Sequence, residues 1–433
     1  MLMDDLRLTN FRLFEQADVS FDNRISVVVG VNGAGKSTLL DAMGILLSCY
    51  LGGFDGQTTR RIAQADIRHV TYKHGTTYEN VSQLPVELTA SGTLAGSAIT
   101  WSSLKTKDSP YSASPSAYRA ATQLAAEHQE RLRSGDSSLI LPLIAYYGTG
   151  RLWQSEASEK KKEAQLQATF GRLKAYDDCL DAHLTNLTLV SWFERMAIKS
   201  LQSAKVNSEY TTVRRAVTNG LESITGLPGI DLGINFDTHE LELIYDSDGE
   251  PIKVTSSQLS DGYRVVLSLF ADIAYRAAML NPQLEGSVLS ETEGIVLIDE
   301  MDLHLHPQWQ QLVLEALADT FPKMQFVVTT HAPAVVSSVD DGQLILIDGK
   351  QVLTVSNGFY GKDANTILRE IMRTPERPRE VRARFGKFYG LLDEGSYDEA
   401  EAVLDGLGRL LGEEDAELTA CRVQLDLERM ELA

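Results

Sequence analysis

The stretch "RISVVVGVNGAGKSTLLDAMGILL", Arg24 to Leu47, decides the fold. It begins as a short apolar run typical of a buried strand, passes through glycines, and continues with helical periodicity. Its centre matches G-x-x-x-x-G-K-[ST] at Gly30, Gly35, Lys36 and Ser37. A strand before this pattern and a helix after it are the context that a phosphate-binding loop requires. The stretch therefore predicts an α/β nucleotide-binding protein.

The loop suggests a role for each of its polar groups. Its glycines let backbone N–H groups wrap phosphates, and the helix N-terminus adds a favourable field. We expect Lys36 to contact the β- and γ-phosphates and Ser37 to ligate Mg²⁺. Asn32 and Ala34 are compatible with either ATP or GTP, so the loop does not choose the base. The predicted nucleotide-binding residues are Asn32, Gly33, Gly35, Lys36, Ser37 and Thr38.

Two acids end a second apolar run, "GIVLIDE", Gly294 to Glu300. Burying unpaired carboxylates is costly, which disfavours a purely structural role. We expect Asp299 to hold the metal through water. Glu300 is expected beside the γ-phosphate, where it can polarise the attacking water as the catalytic base.

A third apolar run, "FVVTTHAP", ends at His331. The number of residues between the acid pair and this run suits two neighbouring strands of one sheet. A neutral His331 could hydrogen-bond the γ-phosphate or the attacking water. The alternative is a structural histidine.

The stretch "LSDGY", Leu259 to Tyr263, precedes a strongly apolar helical pattern and is called the signature below. Ser260 stands at a plausible N-cap, and Gly262 permits close approach of a ligand to the backbone. Such a helix end favours anions. The alternative is an ordinary capped helix.

Phosphate loop, signature, acid pair and histidine, in this order, resemble the ABC-type ATPase fold, in the soluble branch that includes RecF-, SMC- and OLD-type proteins. The resemblance implies that Ser260, Asp261 and Gly262 of one protomer close on the γ-phosphate of ATP held by another. It therefore implies a homodimer through an ATP sandwich, with a higher oligomer left open. The signature has Asp261 where the family pattern has glycine, which is expected to weaken this contact or slow turnover.

No clean counterpart of the family's Q-loop glutamine is found, and "YYGTGR", Tyr146 to Arg151, occupies the approximate place. Segments such as "YDDCLD" and "GKDANTILREIM" resemble the PtuA-like ATPases of Septu and retron anti-phage systems. That resemblance implies a separate HNH-type nuclease, PtuB-like, as partner. One alternative is a RecF-like repair ATPase that acts on DNA directly. Another is a regulatory or assembly ATPase with no DNA role.

The organisation predicted along the chain is an ABC-type core interrupted by a helical insertion. An antiparallel β subdomain is expected within the first part. The predicted segments are an N-terminal core part at 1–151, a helical insertion at 152–225, a C-terminal core part at 226–350, and a helical appendage for partner or oligomer contacts at 351–433.

Composition limits the remaining options. No apolar run approaches the roughly 20 residues that span a bilayer, and three scattered cysteines fit a reducing compartment. We therefore expect a cytoplasmic protein without a membrane partner. The net charge of −20 argues against a surface wholly built for nucleic acid. A metal site at His304 and His306 is an alternative to an interface or structural role for this pair.

Charge is uneven near the end of the chain. Residues 361–390 carry a net charge of +4, and residues 391–433 carry −10. The two segments are either solvated helical faces that pair with each other or a binding surface. The basic segment suits DNA or an acidic partner equally.

Overall fold

The structure is a computed structural model of the whole chain. It describes residues 1–22, 24–57, 59–109, 119–152, 171–181, 186–203, 208–247, 249–339, 344–349, 351–355, 358–375 and 377–431.

The described strands are numbered in chain order. They are β1 (Leu2–Phe11), β2 (Phe14–Ser20), β3 (Ile25–Gly30), β4 (His69–His74), β5 (Thr77–Ser82), β6 (Val86–Leu94), β7 (Ser97–Lys105), β8 (Leu143–Tyr147), β9 (Asp231–Asn235), β10 (Glu240–Ser247), β11 (Glu250–Thr255), β12 (Gly294–Ile298), β13 (Met324–Thr329), β14 (Leu344–Asp348) and β15 (Gln351–Thr354).

The described α-helices are numbered in the same way. They are α1 (Lys36–Leu51), α2 (Arg119–Arg133), α3 (Asn186–Ser203), α4 (Ser208–Thr225), α5 (Asp261–Leu280), α6 (Val288–Glu291), α7 (Pro307–Thr320), α8 (Pro333–Ser337), α9 (Ala364–Thr366), α10 (Arg379–Asp393), α11 (Tyr397–Leu411) and α12 (Ala416–Glu431).

A six-stranded sheet forms the centre of the fold, in the order β15-β14-β3-β13-β12-β8. All neighbours pair in parallel except β15, which runs antiparallel at one edge. Every residue of β3, β12 and β13 is buried, which explains why these strands are continuous apolar runs in the sequence. Because the strands are parallel, their carboxyl ends meet at one edge, where ligands bind in open α/β sheets. The phosphate loop, the acid pair and His331 all follow strands that end there.

A second, antiparallel sheet has the order β2-β1-β6-β7. Positions along β6 alternate between buried apolar residues, such as Val86, Leu88 and Leu94, and more exposed polar ones, as expected for a sheet with one covered face. Helix α1 contacts strands of both sheets and is buried along almost its whole length. The α/β core with an antiparallel subdomain that the sequence predicted is confirmed.

The region predicted as a helical insertion contains α3 and α4 among its described residues. Residues 153–170, 182–185 and 204–207 of that region lie outside the described part of the chain. Helix α4 packs against α5 and α7 of the core.

The chain divides into two compact units, Met1–Ile367 and Leu368–Ala433. The second unit is a helical unit in which α11 packs against both α10 and α12. Its buried core includes Phe385, Phe388, Leu404 and Leu418. Within it, Arg377 of the basic segment pairs with Asp415 of the acidic one at 2.9 Å. Across the part of the chain that is described, no helix is long and apolar enough to cross a membrane.

Candidate functional site

The loop between β3 and α1 is built around left-handed glycines. Gly35 has φ of +110°, and a Cβ there would lie 2.8 Å from Cζ of Phe14. Gly33 has φ of +78°, with open space around it. Glycine adopts such angles without steric cost, so the chain can turn sharply from β3 into α1. Asn32, Gly33 and Ser37 are exposed on this loop, whereas Thr38 is buried.

Lys36 is the buried cation of the loop. Its Nζ donates hydrogen bonds to the carbonyl oxygens of Gly30 at 2.9 Å and Val31 at 3.2 Å. Burial lowers the pKa of Lys36, and the negative charges of Asp299 and Glu300 oppose that change. The ammonium therefore lies close enough to the acid pair to interact with it electrostatically.

The acid pair is fixed by a threonine on the adjacent strand. Thr329 Oγ1 donates to Asp299 Oδ1 at 2.5 Å and accepts a hydrogen bond from the backbone N–H of Glu300 at 2.8 Å. The backbone N–H of Asp299 also donates to the carbonyl of Tyr147, at 2.8 Å. One hydroxyl therefore contacts the side chain of Asp299 and the backbone of Glu300, and β8 holds the backbone of Asp299 from the other side.

Glu300 has a left-handed backbone, with φ of +49°. Such angles are uncommon for residues other than glycine and cost free energy unless the surroundings enforce them. Backbone strain of this kind clusters at functional sites. The half-buried Glu300 side chain therefore has a direction that a regular strand continuation would not give it.

His331 is positioned by a third acid, Asp302. Asp302 Oδ1 accepts hydrogen bonds from Thr330 Oγ1 at 2.5 Å and from the backbone N–H of His331 at 3.1 Å. Partial burial and the nearby charge of Lys36 lower the pKa of His331, which keeps the imidazole neutral at pH 7. A neutral imidazole can both donate and accept a hydrogen bond.

Sequence reasoning missed Thr329, Thr330 and Asp302. The signal was present as two threonines before His331 and a third acid in "DEMD", Asp299 to Asp302.

The signature lies at the start of α5. Ser260 is the N-cap by position, but its side chain makes no capping hydrogen bond. The hydroxyl is exposed and is not used to close its own helix. Asp261 is bonded to Arg264 at 2.5 Å, and His304 Nδ1 lies 3.9 Å from its carboxylate. The acid that departs from the family pattern is thus partly neutralised within the chain.

The signature packs against the segment that follows the acid pair. A Cβ on Gly262 would lie 2.9 Å from the carbonyl oxygen of His304 and 3.2 Å from the Trp309 ring. The rings of Tyr263 and Trp309 meet edge to face, with centroids 4.7 Å apart. The side chain of His306 caps α7 by accepting from the backbone N–H of Gln308 at 3.3 Å. Among the described residues, no cluster of three or more histidines, cysteines or acids could hold a metal, so the proposed metal role of His304 and His306 gains no support.

A buried ion pair anchors α5 to the central sheet. Asp272 Oδ2 accepts hydrogen bonds from Tyr147 Oη at 2.8 Å and from Arg276 Nε at 2.7 Å. Arg276 Nη1 also donates to the carbonyls of Ala175 at 2.6 Å and Asp177 at 3.2 Å. Tyr147 ends β8, the strand that holds the backbone of Asp299. The helix that carries the signature is therefore tied to the strand beside the acid pair.

The central sheet and this arrangement of loop, acid pair and signature give the chain an ABC-type ATPase fold, and the protein is an ATPase. The AAA domain family model matches residues 5–220 of the chain.

Among curated proteins, the chain is similar to one named "Retron Ec83 probable ATPase", from Escherichia coli. The two are 26% identical over 445 residues, covering 87% of this chain and 77% of that protein. The chain is also similar to "Septu protein PtuA" from Bacillus thuringiensis, at 26% identity over 260 residues, covering 56% of this chain and 61% of that protein. The predicted resemblance to PtuA-like ATPases is confirmed.

A solved structure of an Smc head bound to the C-winged helix domain of ScpA is similar to the chain. The match covers 82% of this chain and 98% of the Smc head chain, with a TM-score of 0.48 and 14% sequence identity. The central sheet, the phosphate loop and the acid pair after β12 support ATP hydrolysis, as do the domain match and the curated relatives.

Proposed function

We propose that this chain is the nucleotide-dependent regulatory ATPase of a bacterial anti-phage defence system. In this proposal it acts in the cytoplasm, where two copies close on two ATP molecules and control a separate nuclease of the HNH type. The names of the retron and Septu relatives support the defence role. The observation that carries the ATP sandwich is the exposed, uncapped Ser260 at the start of α5, in a chain that already has a complete phosphate loop.

The residues present fit a nucleotide with Mg²⁺. The hydroxyl of Ser37 is exposed at the start of α1, and Asp299 contributes a buried carboxylate. Hydroxyl and carboxylate oxygens are the donors that Mg²⁺ prefers. Bound Mg²⁺ would neutralise charge on the phosphate oxygens.

The chain's own residues divide the work of hydrolysis. Lys36 places a positive charge in the loop, where it can stabilise β- and γ-phosphate oxygens. Glu300 accepts a proton from the attacking water as general base. His331 donates a hydrogen bond at the γ-phosphate, and Asp302 fixes the backbone from which the imidazole projects.

The ATP sandwich is tested by mixing two inactive variants. Lys36→Ala should abolish tight Mg·ATP binding in calorimetry, because it removes the cation of the loop. Ser260→Arg should leave nucleotide binding intact but block the contact in trans. In a mixed dimer, one site carries both lesions and the other carries neither, so ATPase activity should partly return. Ser97→Arg, which adds the same charge at an exposed position of β7, should leave activity unchanged.

Two results would contradict the proposal. If Lys36→Ala binds Mg·ATP as tightly as the wild type, the loop is not the nucleotide site. If mixed dimers form but no activity returns, the proposal that the signature completes an independently working site in trans is contradicted. Separation of mixed dimers by two different affinity tags shows whether they have formed.

The alternative is a RecF-like ATPase that acts on DNA directly. The exposed cations of α10 favour it, since Arg379, Arg382 and Lys387 all lie on that helix. Salt-sensitive binding of the purified chain to DNA ends or gaps, without any partner, would support this function instead.

A further inference from the structure

Helix α12 is apolar on two opposite sides. Its inner side contributes Leu418, Cys421 and Leu425 to the buried core of the second unit. Its outer side carries Val423, Leu427 and Met430, which are 55%, 58% and 75% exposed. We call these three residues the outer stripe.

The outer stripe is continuous along one helix face. Residues spaced by four and then three positions lie above one another on an α-helix. The exposed Ala420 continues the same face toward the N-terminus of α12. None of these side chains belongs to the core of the unit, so folding of the unit does not explain why they are apolar. Contiguous exposed apolar side chains of this kind mark interaction surfaces.

The border of the outer stripe is negatively charged. Arg422 contacts the carboxylates of Asp405 at 3.6 Å and Glu413 at 2.7 Å. On the next turns of α12, Arg429 contacts two further carboxylates, those of Asp398 at 3.0 Å and Glu401 at 2.8 Å. Each arginine beside the stripe is thus outnumbered by acids.

The exposed Asp426 lies within the same helix turns and adds another negative charge. A complementary partner must therefore supply cations around an apolar centre.

A second copy of this chain does not meet that requirement. Two outer stripes facing each other would bring two acidic borders together, which is repulsive. Three exposed cations of the second unit, Arg379, Arg382 and Lys387, lie on α10. That face contains Gly386 and Gly390, which have no side chain to cover an apolar stripe.

We propose that the outer stripe of α12 is the docking surface for a basic amphipathic helix of a separate polypeptide. The apolar side of that helix covers Val423, Leu427 and Met430, and its lysines and arginines face the acidic border. The proposal deepens the proposed function and rests on it for the existence of a separate partner. It assigns to α12 the contact through which that partner is held.

The test uses the full chain and a synthetic labelled peptide. The peptide forms a helix with leucines on one side and lysines and arginines on the flanks. Fluorescence anisotropy should show saturable binding that weakens with added salt, because exposed charges are screened. A peptide of the same composition in scrambled order, which forms no apolar side, should not bind.

Variants locate the surface. Leu427→Gln should weaken binding at least about tenfold, as expected for an apolar residue at the centre of an interface. Leu410→Gln is the matched control, because Leu410 of α11 is exposed to a similar extent, 54%. Both variants should keep wild-type ATPase activity, since neither residue lies at the nucleotide site.

Three other outcomes overturn the assignment of the docking surface. Equal weakening by Leu410→Gln means general adhesion to apolar surface. If neither peptide binds while ATPase activity is intact, the proposed docking role of the outer stripe is wrong and the ATPase proposal is unaffected. A fall in oligomer size of Leu427→Gln in analytical ultracentrifugation identifies a second copy as the occupant. Peptide binding by a chain that lacks ATPase activity contradicts the proposed function alone.

Discussion

Replacing Arg276 with alanine should strongly destabilise the first unit. Arg276 and Asp272 are 13% and 9% exposed at their side chains, and their atoms meet at 2.7 Å. The substitution leaves the Asp272 carboxylate buried beside the Tyr147 hydroxyl but without its cation, and it removes a donor from two backbone carbonyls. Breaking a buried pair by removing one member costs about 3–5 kcal/mol.

The matched control is an exposed pair of the same chemistry. Arg7 and Asp18 meet at 2.5 Å, but their side chains are 66% and 53% exposed. Exposed pairs of this kind contribute about 0.2–1 kcal/mol. Arg7→Ala should therefore cost much less than Arg276→Ala, although the distance between the charged groups is similar.

The assay is unfolding in urea, followed by tryptophan fluorescence. All four tryptophans lie within Met1–Ile367, so the signal reports the first unit alone. A double variant, Asp272→Leu with Arg276→Met, should recover part of the lost stability, because no unpaired charge remains buried. The reasoning is refuted if Arg276→Ala costs no more than Arg7→Ala, or if the double variant is less stable than Arg276→Ala.

Three further outcomes are expected at the nucleotide site. Gly33→Ala should lower the free energy of unfolding by about 1–2 kcal/mol, because alanine is strained at positive φ. Gly35→Ala should lower it further, because Gly35 also has positive φ and, unlike Gly33, has no space for a Cβ. Equal losses of stability in urea unfolding would contradict this difference. Glu300→Gln should bind ATP in calorimetry but lose most phosphate release, and wild-type turnover would place the base elsewhere. The pKa of His331 is lowered in the folded state, so the unfolded state binds the proton more readily and stability falls as pH drops below 6.5. His331→Gln should therefore lose less stability than the wild type between pH 7.5 and 5.5. Equal losses would contradict the lowered pKa of His331.

The sequence predicted the elements whose signals are local. The strand and glycine loop around Lys36 lie within one short segment, and the central apolar strands are recognisable because both faces are buried.

The contacts that orient the site could not be predicted in this way. Thr329 meets Asp299 across 30 positions, and Tyr147 meets Asp272 across 125. No periodicity links such residues, because their proximity depends on the order of strands in the sheet. The exposure of Leu427 could not be predicted from sequence for a different reason. Val423, Leu427 and Met430 have the helical spacing of residues that usually face a core. Only the packing of the second unit shows that another side of α12 faces its core.

The strand order of the central sheet also constrains how the chain can fold during synthesis. Strand β3 is entirely buried, yet both of its neighbours, β13 and β14, come from the other end of the first unit. The antiparallel sheet can close once β7 has left the ribosome, but β3 must wait for residues up to Asp348. At about 5–20 residues per second, this apolar strand remains without its partners for roughly 15 to 60 seconds. The nascent chain should therefore depend on chaperones that shield apolar segments throughout that interval.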